Sequence, residues 1–143
     1  MGGLLAVLAT LAVATAAGLW LQRSGHRLGR RQRAAQADAP RERLVEADLG
    51  GPLGERATLV QFSSAFCQPC RATRRVLDEV SQAVPGVAHR EVDAESNLEL
   101  VRRLDVRRTP TVLVLDAAGG IVRRASGQPR KADVIAALGE AVG

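Results

Sequence analysis

The chain has 143 residues, enough for one modest core and an appendage, and its 46% apolar content excludes a disordered protein. Trp20, Phe62 and Phe66 are its only aromatic residues, so there is no platform for stacking bases, and two cysteines are too few to staple a secreted scaffold. The net charge of +5 lies between residues 22 and 43, where seven arginines face Asp38 and Glu42; the chain from residue 44 onward is balanced, which argues against nucleic acid as a partner.

From Gly2 to Leu21 no residue is charged, and Leu, Ala and Val dominate. At 1.5 Å per residue such a run spans a hydrocarbon core of about 30 Å, and Trp20 falls at its end, where an amphipathic ring favours the interface. The predicted organisation is a transmembrane anchor over 1–21, a basic juxtamembrane linker over 22–43 and a globular domain over 44–143. The alternative for the first segment is a cleaved signal peptide. Ala14-Thr15-Ala16 mimics a cleavage site, but no Lys or Arg precedes the apolar run. Five arginines follow the span within about 15 residues, so the positive-inside rule predicts a single-pass membrane protein with its globular domain on the cytoplasmic side. The extracytoplasmic side stays open as the alternative. Residues 22–43 lack the apolar stripe of a packed helix and read as a tether beside anionic lipid.

Within the domain, Ala57–Phe62 is a short, β-branched run after the turn-prone Gly50-Gly51-Pro52 and reads as a buried strand. From Cys70 to Ala83 the spacing of Ala72, Val76, Leu77, Val80 and Ala83 predicts an amphipathic helix that Pro85-Gly86 ends. Val87–Asp93 is a second strand. Ser96-Asn97-Leu98-Glu99 has the form of a capping box opening a short helix that turns Val101 and Leu104 inward. Thr111–Leu115 is a third strand, Gly119-Gly120 a tight turn, and Ile121–Ala125 the antiparallel return. A last helix from about Arg130 carries Val134, Ile135, Leu138 and Val142 on one side. The order β-α-β-α-β-β-α makes an α/β domain, a mixed central sheet flanked by helices.

The two cysteines lie three apart in Ser63-Ser64-Ala65-Phe66-Cys67-Gln68-Pro69-Cys70, between a strand and a helix. That placement puts Cys67 at the helix's amino end, where free N–H groups and the macrodipole favour a thiolate, and Pro69 suits a first turn that has no need of its N–H. The spacing lets the sulfurs meet, so Cys67 is the candidate nucleophile and Cys70 the candidate resolving thiol.

With Arg108-Thr109-Pro110-Thr111 immediately before the third strand, this pattern resembles the thioredoxin superfamily from about Leu44 to Val142. The resemblance implies a thioredoxin fold and a thiol-disulfide oxidoreductase that needs no cofactor or metal. Its partners would be disulfide-containing protein substrates and a redox donor protein. It further implies a cis Pro110, a Thr109 whose backbone pairs with substrate, and a Gly127 that lines the same groove, with Phe66 in the place where thioredoxins have tryptophan. Gln61 stands where thioredoxins have a buried aspartate, so Cys70 has to lose its proton to water or to another group.

Arg71, Arg107 and Arg108 read either as solvated charge or as a positive rim that favours acidic partner segments. His26 and His89 carry no partner signal, and each reads as an ordinary residue of its segment. Two further readings belong to other classes: a redox-inactive thioredoxin-like interaction module, and a thiolate carrier of copper or zinc. The carrier has no further Cys or partnered His to complete a closed zinc site.

Overall fold

A computed structural model describes residues 42–143 and, apart from them, Thr15. The expected span over 1–21, Thr15 excepted, the tether up to residue 41 and His26 lie outside the described residues. Among those described, no helix is long and apolar enough to cross a membrane.

Ala57–Ser63 forms β1, and all seven of its residues are buried. A strand covered on both faces can use a nearly continuous apolar run, which is what Ala-Thr-Leu-Val-Gln-Phe supplies apart from Thr58 and Gln61. β1 pairs in parallel with β2 (Val87–Asp93) and antiparallel with β3 (Thr111–Asp116), and β3 pairs antiparallel with β4 (Ile121–Ser126). The sheet order is β2-β1-β3-β4.

Because successive strand residues point to opposite faces, the sheet divides the core in two. Ala57, Leu59, Val112 and Val114 pack with Leu77, Val80, Val134 and Leu138 from the two long helices, α2 (Gln68–Ala83) and α4 (Lys131–Ala141). Val60, Phe62, Leu113 and Leu115 pack on the other side with Leu44, Leu49, Leu100, Leu104 and Val106, which come from α1 (Glu46–Leu49), α3 (Leu98–Arg103) and the chain around them.

Three expectations about the helices are corrected. The buried stripe of α2 is Cys70, Thr73, Leu77 and Val80, while Ala72 and Val76 are half-buried and Ala83 is exposed. The stripe starts at the buried cysteine and advances by three and four residues, which carries a threonine into the core. In α4 only Val134 and Leu138 are buried; Ile135 is 51% exposed, one residue off the face that meets the sheet, and Val142 packs partly from the C-cap.

The capping box before α3 does not form. The N-cap is Asn97, and Asp93 organises the turn instead: Glu95 N–H and Ser96 Oγ donate to its carboxylate, and Asn97 Nδ2 donates to its carbonyl. In α3 the inward residues are Leu100 and the C-cap Leu104, with Val101 half-buried. The one-turn α1 is an addition to the expected order; it brings Leu44 and Leu49 to the core and ends on Gly50. The turn after β3 needs its glycine, since Gly119 has φ +81° and a Cβ there would stand 2.1 Å from the Leu44 carbonyl oxygen. That approach lets Leu44 N–H donate to the Gly119 carbonyl, while Arg43 bridges to Gly120.

Candidate active site at Cys67 and Cys70

β1 ends at Ser63, and a tight turn through Ser64-Ala65-Phe66, closed by Cys67 N–H donating to the Ser64 carbonyl at 3.2 Å, delivers Cys67 to the N-cap of α2. Pro69 occupies the first turn. Cys67 and Cys70 are joined by a disulfide, with their Cα atoms 5.3 Å apart. The two sulfurs differ in access: Cys67 is part-exposed, whereas Cys70 is 2% exposed beneath it. No acidic residue lies in the first turn of α2, so nothing there opposes a thiolate at Cys67. Phe66, next to the accessible sulfur, is 97% exposed.

The proline loop is tied to the cysteine loop. Thr109–Pro110 is a cis peptide, Pro110 is buried, and the Thr109 and Ser64 hydroxyls lie 2.9 Å apart. Thr111 Oγ1 donates to the Arg108 carbonyl, and Gly127 N–H donates to the Pro110 carbonyl at 2.8 Å, which sets Gly127, with φ +92°, against the loop. Among the described residues neither the N–H nor the C=O of Thr109 takes a hydrogen bond. An unpaired backbone in this position can accept an added strand. The structure thus gathers Cys67, Cys70, Thr109, Pro110 and Gly127 around one loop cluster, with Phe66 at its outer side.

The arginines of the expected rim divide. Arg107 is paired with Asp105 at 3.0 Å, and Arg71 reaches Gln68 Oε1 at 3.4 Å. Arg108 is the one drawn into the groove: it donates to the Ser126 carbonyl and lies 3.9 Å from where a Cβ on Gly127 would stand.

Below the disulfide, Gln61 is fully buried. Its Nε2 donates to the Cys70 carbonyl at 2.9 Å and to Ser63 Oγ at 3.0 Å, and its Oε1 has no partner. Ser63 Oγ in turn donates to Glu91 Oε1, which also accepts from Arg74. Burial pushes the Glu91 carboxyl upward, but the hydrogen bonds from Arg74 and Ser63 outweigh it and hold the group below the usual carboxylate range. Thr73 Oγ1, also in the core, is a second buried polar atom without a partner. An unmet buried donor or acceptor costs about 1–3 kcal/mol, so both demand an explanation.

Sequence reasoning reached Gln61 but not Ser63, Thr73, Arg74 or Glu91. The register Gln61↔Glu91 is the signal that joins them, and it exists only once β1 and β2 are paired. His89 is corrected as well. It has a partner, its Nδ1 lying 2.6 Å from Asp78 Oδ1 with the imidazole almost wholly buried.

A mixed four-stranded sheet, a C-x-x-C pair at the head of α2 and a cis-proline loop beside it define a thioredoxin-fold domain with a redox-capable cysteine pair. Residues 52–140 match the family model described as Thioredoxin, and the chain belongs to that family. Among curated relatives, Thioredoxin H5 of Oryza sativa subsp. japonica is 33% identical over 60 residues, covering 42% of this chain and 44% of the relative. Thioredoxin H4-1 of the same organism is 30% identical over 73 residues, covering 51% and 53%. The chain thus spans about half the length of the curated relatives it matches. Solved structures share the fold, among them a mutant thioredoxin from Halobacterium salinarum (TM-score 0.55, 20% identity, 62% of this chain and 77% of that one) and the thioredoxin of Fasciola hepatica (TM-score 0.54, 24% identity, 62% and 83%).

Proposed function

We propose that the chain is a thiol-disulfide oxidoreductase acting on protein disulfides. The observation that carries this reading is the asymmetry of the pair, with an accessible Cys67 at a helix N-terminus closed onto a buried Cys70 beside the open backbone of Thr109. In the reducing direction the Cys67 thiolate attacks one sulfur of a substrate disulfide. The Cys67–substrate bond forms, the substrate S–S bond breaks, and the departing thiolate takes a proton from water. Cys70 then loses its proton, attacks Cys67 Sγ and expels the second substrate thiolate, leaving the Cys67–Cys70 disulfide and a substrate with two thiols. A redox donor protein with a free dithiol restores the pair by the same exchange. The exposed Phe66 and the Thr109–Pro110–Gly127 groove hold the substrate segment as an added strand.

Reduction of insulin by a dithiol, compared between the wild type and Cys67→Ser, tests the proposal. Turnover that falls to background in the variant is expected. Equal, negligible turnover in both would favour the redox-inactive interaction module or the metal carrier.

The uncharged run from Gly2 to Leu21 and the arginines after it support attachment to a membrane as a single span with the domain on the cytoplasmic side. Substrates would then be membrane or membrane-proximal proteins. In intact cells Cys67 is expected to escape a membrane-impermeant thiol reagent; labelling would place the domain on the outer face.

A further inference from the structure

We infer that Gln61 and Thr73 together form the hydrogen-bonding seat of the Cys70 thiol, so that the buried side of the site is satisfied in the dithiol form and short of partners in the disulfide form. This rests on the reading above that the pair cycles between the two forms.

Among the described residues three buried side-chain polar atoms lack a partner, and two of them, Gln61 Oε1 and Thr73 Oγ1, belong to residues beside Cys70. Thr73 follows Cys70 by three residues on the buried stripe of α2, a spacing that brings side chains to within about 5–6 Å. Gln61 sits on β1 with its amide nitrogen 2.9 Å from the Cys70 carbonyl oxygen. The two heavy atoms of one amide are about 2.3 Å apart, so Oε1 lies in the same small space. The orientation of that amide is fixed by its neighbours. The Cys70 carbonyl can only accept, and Ser63 Oγ has given its proton to Glu91, so nitrogen faces both and the unmet atom is the acceptor.

A disulfide sulfur has no proton to offer an acceptor. Reduction by two glutathione molecules breaks the Cys67–Cys70 bond, delivers two electrons and two protons to the pair, and yields glutathione disulfide. Cys70 then bears an S–H that donates to Gln61 Oε1, and its sulfur accepts from the Thr73 hydroxyl. The first bond needs the S–H, and the second is absent from the disulfide form, where Thr73 Oγ1 has no partner, so both favour the dithiol. Gln61 and Thr73 are thus positioning residues that tune the pair through Cys70. A buried aspartate in place of Gln61 would bring a charge to this space, and Gln61 supplies a neutral acceptor instead.

The test is the equilibrium of the full chain with a glutathione redox buffer, read as the fraction alkylated after acid quench by mass spectrometry. Thr73→Val and Gln61→Met are each expected to shift the constant toward the disulfide by about five- to tenfold, the worth of one net hydrogen bond. Thr73→Ser, which keeps the hydroxyl, should stay within about twofold of wild type on the same scale. Constants unchanged in both Thr73→Val and Gln61→Met would overturn the inference, because neither side chain would then distinguish the dithiol from the disulfide. An equal shift in Thr73→Ser and Thr73→Val would overturn it too, by tracing the effect to packing. Since this measurement reads an equilibrium and no turnover, a protein inactive toward insulin still decides it, and the two proposals fail separately.

Discussion

Glu91 shows how a single side chain balances opposed effects. Burial alone would raise its carboxyl, but it accepts from Arg74 at 2.6 Å and from Ser63 at 2.6 Å, and the outcome is a group held below the usual range. An unfolded glutamate titrates near pH 4.3, so between that value and the lower folded one the unfolded chain binds more protons. The Glu91 contribution is therefore fully present above about pH 4.3 and is lost as pH falls through the folded value. Denaturant unfolding followed from about pH 3 to 6 should show a shallower acid limb in Glu91→Gln than in the wild type. Superimposable limbs would sink this account of the carboxylate.

The joined cysteines, Cys67 and Cys70, were legible as a pair from their spacing and setting. Those supporting them were not. Thr73 and Glu91 look like ordinary polar residues of a helix and a strand until helix rotation and strand register are known.

At the scale of elements, α2 links the core to the site, since the stripe that buries Leu77 and Val80 begins at Cys70. Leu77 is fully buried against the sheet, and Leu77→Ala is expected to cost about 2–5 kcal/mol. Ile135, on the outer side of α4, should lose no more than about 0.5 kcal/mol on change to alanine. Comparable losses at the two positions in urea unfolding would show that the assignment of the α4 face is wrong.

The strands were legible as short runs bounded by turn residues, β3 the most β-branched of them, and the long helices because their apolar period is plain. The four-residue α1 is too short to have a period. The capping box at Ser96 failed because the carboxylate of Asp93, three residues back, captures the serine hydroxyl first.

For the whole molecule, the parallel pairing of β1 with β2 and the antiparallel returns of β3 and β4 bring two distant segments, residues 63–70 and 108–111, to one end of the sheet. The hydroxyls of Ser64 and Thr109 join them across 45 positions of sequence. No local pattern states that proximity; it followed from the resemblance to thioredoxins and is met in the structure by geometry.

The proposed exchange turns on attack by Cys67 and resolution by Cys70. The most direct measurement is covalent trapping: the reduced full-length Cys70→Ser variant is mixed with insulin and the products are resolved by mass spectrometry without reductant. A mixed disulfide through Cys67, released by added dithiol, is the predicted result. No adduct, or an equal yield through Cys70 in the Cys67→Ser variant, would contradict it.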